Sequence, residues 1–194
     1  MFTRRNLCVL LGGWFLAVSL FAATLTPTQL VALRAKVFQD ATAAAFFPAR
    51  DSAGLRAYLN TVVAPAYIVW RSSVTQDEIM LNGFDWSRVD NLSVGKARVW
   101  EWLFDNQTKS LNPSKSNVRA GIDQVWQGTA QDLAVRAAVY VHCKRSATIA
   151  EKMLATGTGT DAVPATMDFE GEVSDQDAGV LMFKSDGTVW TAGG

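Results

Sequence analysis

The sequence predicts a mainly α-helical protein, a compact domain of about six helices followed by a short C-terminal β-hairpin. Three observations lead there. Thr or Ser stands three positions before Gln, Glu or Asp at several points, each time ahead of apolar residues at helical spacing. Pro- and Gly-containing breakers separate those segments. The composition is globular, with 49% hydrophobic and 19% charged side chains in 194 residues, enough to bury a core within one domain.

Thr26-Pro27-Thr28-Gln29 is a capping box with Pro at the first helical position, opening a helix to about Gln39 whose apolar face is Leu30, Leu33 and Val37. Asp40 to Asp51, with Pro48, reads as a loop that buries Phe46 and Phe47. Asp51 or Ser52 caps a second helix with Leu55, Tyr58, Leu59 and Val62 on one face, ended by Pro65. Ala66 to Trp70 has strand composition without an evident partner and reads as an extended connector. Ser73 and Thr75 offer overlapping capping boxes for a short third helix through Met80, closed by Asn82-Gly83. Phe84 to Val89 is an aromatic loop.

Ser93 caps a fourth helix to about Phe104 with apolar residues around most of its circumference, which predicts a central or subunit-buried position. After a polar turn with Pro113, Val118, Ile122, Val125 and Trp126 mark a fifth helix ended by Gly128. Thr129 to Asp132 opens the longest helical pattern, reaching Ala155 with a bend near Ser146. Gly157 to Thr160 with Pro164 breaks it. Asp168 to Asp177 is acidic, and Val180 to Trp190 reads strand, Asp186-Gly187 turn, strand. The expected organisation is a leader at 1–23, a helical body at 24–178 and a hairpin tail at 179–194.

The leader joins Arg4 and Arg5 to an uncharged run of 17 residues, Leu7 to Ala23. That is the pattern of a secretory signal or anchor, at the lower limit of the roughly 17 to 25 residues that span a bilayer. A start assigned too far upstream is the other reading, so a membrane contact is expected only if the leader is real.

Eighteen Lys and Arg balance eighteen Asp and Glu, which leaves no net field to gather nucleic acid. One His and two Cys are too few for the common zinc sites. Ser93-Val94-Gly95-Lys96 matches the S-x-x-K pattern of serine acyl-enzymes, yet S-D-N and K-T-G are missing and Ser93 already serves as a helix cap. His142 and Cys143 are neighbours on a helix and point about 100° apart, so the His is poorly placed to activate the thiol. The acidic stretch lacks EF-hand spacing, and Gly157-Thr158-Gly159 is followed by no G-K-[ST]. Lys144, Arg145 and Lys152 form a basic spot better read as complementing a helix dipole than as a phosphate site. These patterns predict no catalytic residue, metal site, cofactor or small-molecule substrate, and no sequence-specific nucleic-acid binding.

Five tryptophans, Trp70, Trp86, Trp100, Trp102 and Trp126, fall between positions 70 and 126. Aromatic anchors are enriched at protein interfaces, so any of these exposed in one chain marks a candidate contact with another.

The run from Val62 to Phe104, VVAPAYIVWRSSVTQDEIMLNGFDWSRVDNLSVGKARVWEWLF, resembles a family of proteins of tailed bacteriophages and prophages. The resemblance continues through NPSKSNVRAGID at Asn112 to Asp123, VHCKR at Val141 to Arg145 and ATGTGTDAVPATMDFEG at Ala155 to Gly171, covering about Leu25 to Asp177. It implies a non-enzymatic virion component encoded near other virion genes. Size and helical content extend this to a head-to-tail adaptor or neck protein, a homo-oligomeric ring that binds portal or tail proteins and assembles in the host cytoplasm. Family members begin near Leu-Thr-Pro-Thr-Gln-Leu, so the leader is additional, and the stretch from Val180 onward has no counterpart. The competing expectation is an exported or inner-membrane-anchored helical binding module of the bacterial envelope, located in the periplasm.

Overall fold

The computed structural model describes residues 24–81, 84–105 and 107–193; the leader expected over 1–23 lies outside them. The first helix, α1 (Pro27–Val37), begins as its capping box dictates: Thr26 Oγ1 accepts the Gln29 N–H, and Gln29 Oε1 accepts the Thr26 N–H at 2.9 Å. The predicted loop after it is instead two single-turn helices, α2 (Ala41–Ala44), capped by Asp40, and α3 (Phe46–Ala49). Phe47 is buried there, and Phe46 is half-buried. Asp51 caps α4 (Ser52–Leu59), accepting the Gly54 N–H at 2.8 Å. That helix stops at Asn60, five residues before Pro65.

The chain then enters β1 (Ile68–Trp70), followed by β2 (Val74–Thr75), α5 (Gln76–Met80), a 3-10 turn at Trp86–Asn91, α6 (Val94–Leu103) and β3 (Ser110–Leu111). Next come α7 (Ser116–Val125), α8 (Ala130–Cys143), β4 (Lys144–Ser146), α9 (Ile149–Leu154), β5 (Ala155–Thr156), β6 (Thr166–Met167) and α10 (Asp175–Met182). The fold is mainly α, with more and shorter helices among the described residues than the six predicted.

Strand β1 pairs antiparallel with β4, Val69 opposite Arg145, so the expected connector has a partner after all. That pairing also divides the long helix predicted from Thr129 to Ala155. Residues 144–146 are drawn into the ladder, and a capping box at Thr148 and Glu151 restarts the helix as α9. The boundary strands enclose residues 71–143 as a nested unit whose two ends enter and leave side by side.

Two large apolar cores result, with a small third cluster of Val69, Ala147 and Ala165 beside the β1–β4 ladder. In the first, Leu33 and Val37 of α1 and Leu55 and Leu59 of α4 meet Leu154 of α9 and Leu181 and Met182 of α10. The second lies within the nested unit, where Ile79, Phe84, Trp100, Phe104, Ile122, Trp126, Val135 and Val139 pack together. Helices α6 and α7 approach closely because position 121 is Gly; a Cβ there would come within 3.1 Å of Leu103 Cδ2.

An ion-pair cluster ties the two cores. Arg145 donates to both oxygens of buried Glu151 at 2.6 and 2.7 Å and to Glu170 at 3.1 Å. Glu170 in turn accepts the Ser72 N–H at 2.8 Å, and Glu151 accepts the N–H groups of Thr148 and Gly171. Burial pushes the Glu151 carboxyl up, but these donors outweigh it and hold it below its ordinary value.

The C-terminal hairpin predicted from Val180 to Trp190 is a correction. Ser174 and Asp177 form a capping box, so Val180 to Met182 complete α10, and Leu181 and Met182 lie in the first core. Of the hairpin only a Phe183–Val189 bridge around the Asp186-Gly187 turn remains. Helix α10 runs through the predicted boundary at 178/179. Arg34 fastens this end, donating to the carbonyls of Val180 at 2.7 Å and Leu181 at 3.1 Å while stacking 4.1 Å from the Trp190 ring centre.

Candidate functional site

The five candidate tryptophans separate into different environments. Trp126 is fully buried and edge-on to Phe84 and Trp100, at centroid separations of 5.7 and 5.3 Å. Trp100 is 6% exposed, stacked on Phe84 and edge-on to Phe104. Both are core residues, and Trp100 is the one buried side chain of α6. Trp70 is half-buried between Tyr140, at 5.5 Å, and the Arg119 guanidinium, at 4.9 Å. Trp86 opens the 3-10 turn, and its side chain lies outside the described residues. Trp102 alone of the described four projects into solvent, 66% exposed.

Trp102 stands on the outer face of α6. Val94, Arg98 and Trp102 follow one another at i, i+4 and i+8, a single row along about 12 Å of helix. Of the two positions predicted for this helix, central or buried against another subunit, the fold does not show the central one: Trp100 and Leu103 face α7, whereas Val94, 78% exposed, and Trp102 face water. Beside Trp102, a hollow of about 400 Å³ is lined by Gln76, Glu101, Asp105 and Lys109.

A second row, this one apolar, runs along α8. Val135, Val139 and Cys143 face the core, and Leu133, Ala137 and Val141 repeat at the same spacing on the outer side. Val141 is 69% exposed. This row borders a hollow of about 510 Å³ whose charged rim is self-neutralised by Arg136 with Asp123 and Lys144 with Asp161. Leu133, Ala137 and Val141 are not among the residues expected at an interface from the sequence. The signal was present, since α8 carries two apolar stripes where a helix packed on one core needs one.

The remaining sequence candidates have structural roles. Ser93 Oγ caps α6 by accepting the Lys96 N–H, and Lys96 Nζ donates to the Gln127 carbonyl at 3.1 Å, away from the hydroxyl. Cys143 is buried, and desolvation pushes its thiol up to about 12 against the lowering fields of Arg71 and Lys144. Lys144 pairs with Asp161, and Arg145 belongs to the Glu151 cluster, so the predicted basic spot is largely neutralised. In the acidic stretch, Glu170 joins that cluster, and the buried Asp177 carboxylate completes the capping box of α10 by accepting the Ser174 N–H at 3.3 Å. The Gly157 to Thr160 segment packs on β1: Ile68 N–H donates to Gly159 O at 2.7 Å, and Gly159, at φ +68°, lies against the Tyr67 ring where no Cβ fits. Among the described residues no group of three or more His, Cys, Asp or Glu side chains is placed to hold a metal ion. No helix among them is long and apolar enough to cross a membrane.

Comparison with protein-family models, curated proteins and solved structures gave no match.

Proposed function

We propose that the protein is a non-enzymatic structural component of a tailed-phage virion, a head-to-tail adaptor or neck protein that forms a homo-oligomeric ring and binds portal or tail proteins. The observation that carries this reading is the pair of unlike exposed rows on the nested unit, Val94, Arg98 and Trp102 on α6 and the apolar Leu133, Ala137 and Val141 on α8. A head-to-tail ring needs two different patches on each subunit, one to offer and one to receive. Large aromatic and aliphatic side chains exposed among charged neighbours suit such a contact. The resemblance of Val62 to Phe104 to phage and prophage proteins supplies the biological setting, and the virion is the corresponding location.

Mass photometry and negative-stain microscopy of the chain, alone and with a portal protein, test the proposal. Rings that dissociate on Trp102→Glu or Val141→Glu are expected. A strictly monomeric chain that ignores the portal sinks the adaptor reading. Arg4, Arg5 and the apolar run from Leu7 to Ala23 favour the second reading, an exported or anchored envelope module. N-terminal sequencing of the native protein separates the two: a mature end near Thr24 in a periplasmic fraction supports export, and a virion-bound chain starting near Leu25 without a precursor opposes it.

A further inference from the structure

A groove of about 590 Å³ lies outside the nested unit, between the end of α1, residues 61–64 and α9. Its apolar lining comes from Val62, Val63, Ile149 and Met153, and Lys36 and Lys152 stand exposed at its rim. Neither lysine forms an ion pair among the described residues. The one carboxylate in the lining, Asp40, is already engaged: it accepts the N–H groups of Thr42 and Ala43 and the Tyr58 hydroxyl at 3.0 Å. The groove therefore carries two lysines against one carboxylate, a net positive charge around an apolar floor, with Lys152 Nζ 5.7 Å from the Tyr67 ring centre.

Along residues 61–64 one residue of backbone, Val62, is open. Val63 N–H donates to Ala147 O at 3.0 Å, and Ile149 N–H donates to Thr61 O at 2.9 Å, which makes Val62 and Thr148 an antiparallel bridge. By the alternation of such a pair, the N–H and C=O of Val62 itself point to the opposite edge. There they make no hydrogen bond with the described residues. An unpaired strand edge is a template for a further strand, and a recurring mode of peptide recognition uses it.

We infer that this groove binds an extended segment of a partner protein, in which carboxylate side chains alternate with apolar ones, as an added strand along Thr61–Ala64. The free N–H and C=O of Val62 meet its main chain, the apolar side chains enter between Ile149 and Met153, and the carboxylates reach Lys36 and Lys152. A fatty acid satisfies the floor and the cations but leaves the strand edge unused, so the peptide is the occupant that uses all three features. The inference does not depend on the ring: its residues belong to neither exposed row of the nested unit.

Fluorescence anisotropy with the full chain and a labelled Val-Glu-Val-Glu-Val-Glu peptide tests it. Binding is expected, weakened about tenfold or more by combined Lys36→Glu and Lys152→Glu, two exposed positions whose change spares the cores. The same peptide N-methylated at alternate amides, and a Val-Lys-Val-Lys-Val-Lys peptide, are expected not to bind. Absence of binding by the Val-Glu peptide overturns the inference. So does equal binding of the N-methylated form, or laurate occupying the groove while the peptide does not.

Discussion

The first core gathers two distant stretches of chain, with buried residues at 25–59 and 150–182 and its rings mostly at the periphery, whereas the second is continuous between Val74 and Cys143 and buries four mutually contacting rings, Phe84, Trp100, Phe104 and Trp126, at its centre. They also differ at their surfaces. Leu81, Val94, Trp102, Leu133 and Val141, five of the nine large apolar side chains left exposed among the described residues, belong to the nested unit. The difference suggests a division of labour: the outer helices leave only scattered valines exposed, Val31 on α1 and Val180 on α10, and the nested helices fill one face with a ring cluster while leaving a second face of α6 and α8 free. A free apolar face costs solubility unless another surface covers it, which is why the proposed subunit contact uses this half.

Removing the centre of the aromatic core breaks the comparison most severely. Trp126→Ala deletes a fully buried indole in contact with Phe84 and Trp100, and a loss of about 3–5 kcal/mol is expected from denaturant titration. Cys143 offers a local readout, because its buried, protonated thiol is unreactive while the second core is closed. In a Cys8→Ser background, disulfide-reagent labelling of Cys143 is expected to accelerate about a hundredfold or more on Trp126→Ala. Unchanged labelling would mean that the aromatic cluster does not hold α8 in place.

Next comes the joint between the cores. Glu151→Gln leaves Arg145 short of its principal partner, and about 3 kcal/mol is expected to be lost. Because the donors around Glu151 hold its folded pKa below the ordinary value, its contribution is complete above the unfolded value of about 4.3 and is lost as the pH falls through the lower folded value. Glu78 acts in the same direction, lowered by the Thr75 N–H and, less strongly, by Arg71. Thermal melts between pH 7 and 3 are therefore expected to be flatter for Glu151→Gln than for the parent. Parallel profiles would show that the cluster adds nothing to acid sensitivity.

The cores differ in how far the sequence disclosed them. Local devices were legible: the boxes at Thr26, Thr75 and Thr129 and the cap at Ser93 act over three or four residues and start helices where predicted. The β1–β4 pairing was not, because its strands lie at opposite ends of the nested stretch and neither shows its partner. The box at Thr148 was masked by apolar periodicity that runs from Val139 through Cys143, Ala147 and Ala150. At the candidate surface, Trp100 and Trp102 have the same composition and opposite fates. Two residues apart on a helix they point about 200° apart, so one enters the core as the other leaves it, a phase relation that counting tryptophans discards.

The polar edge of the nested unit gives a smaller effect. Tyr140 donates to Asp123 at 2.9 Å and approaches the Arg119 carbonyl at 3.2 Å, and its hydroxyl is shifted upward by burial and by Asp123. Tyr140→Phe keeps the ring against Trp70 and is expected to cost about 1 kcal/mol in the same titration. A cost several times larger would place this edge, and not the aromatic centre, in charge of the second core.

The smallest stability effect separates folding from assembly. Trp102→Ala removes a side chain that is 66% exposed and outside both cores, so the monomer is expected to change by no more than about 0.5 kcal/mol. Its expected effect is on mass: if α6 supplies one half of a subunit contact, the variant shifts the distribution toward monomer while its denaturation midpoint stays put. Leu55→Ala in the first core should do the reverse, lowering the midpoint by about 2–5 kcal/mol in stability without altering the mass of the folded fraction. Should Trp102→Ala destabilise the monomer as strongly as a core deletion, the outer row of α6 belongs to the fold, and the division between a closed half and an assembling half fails.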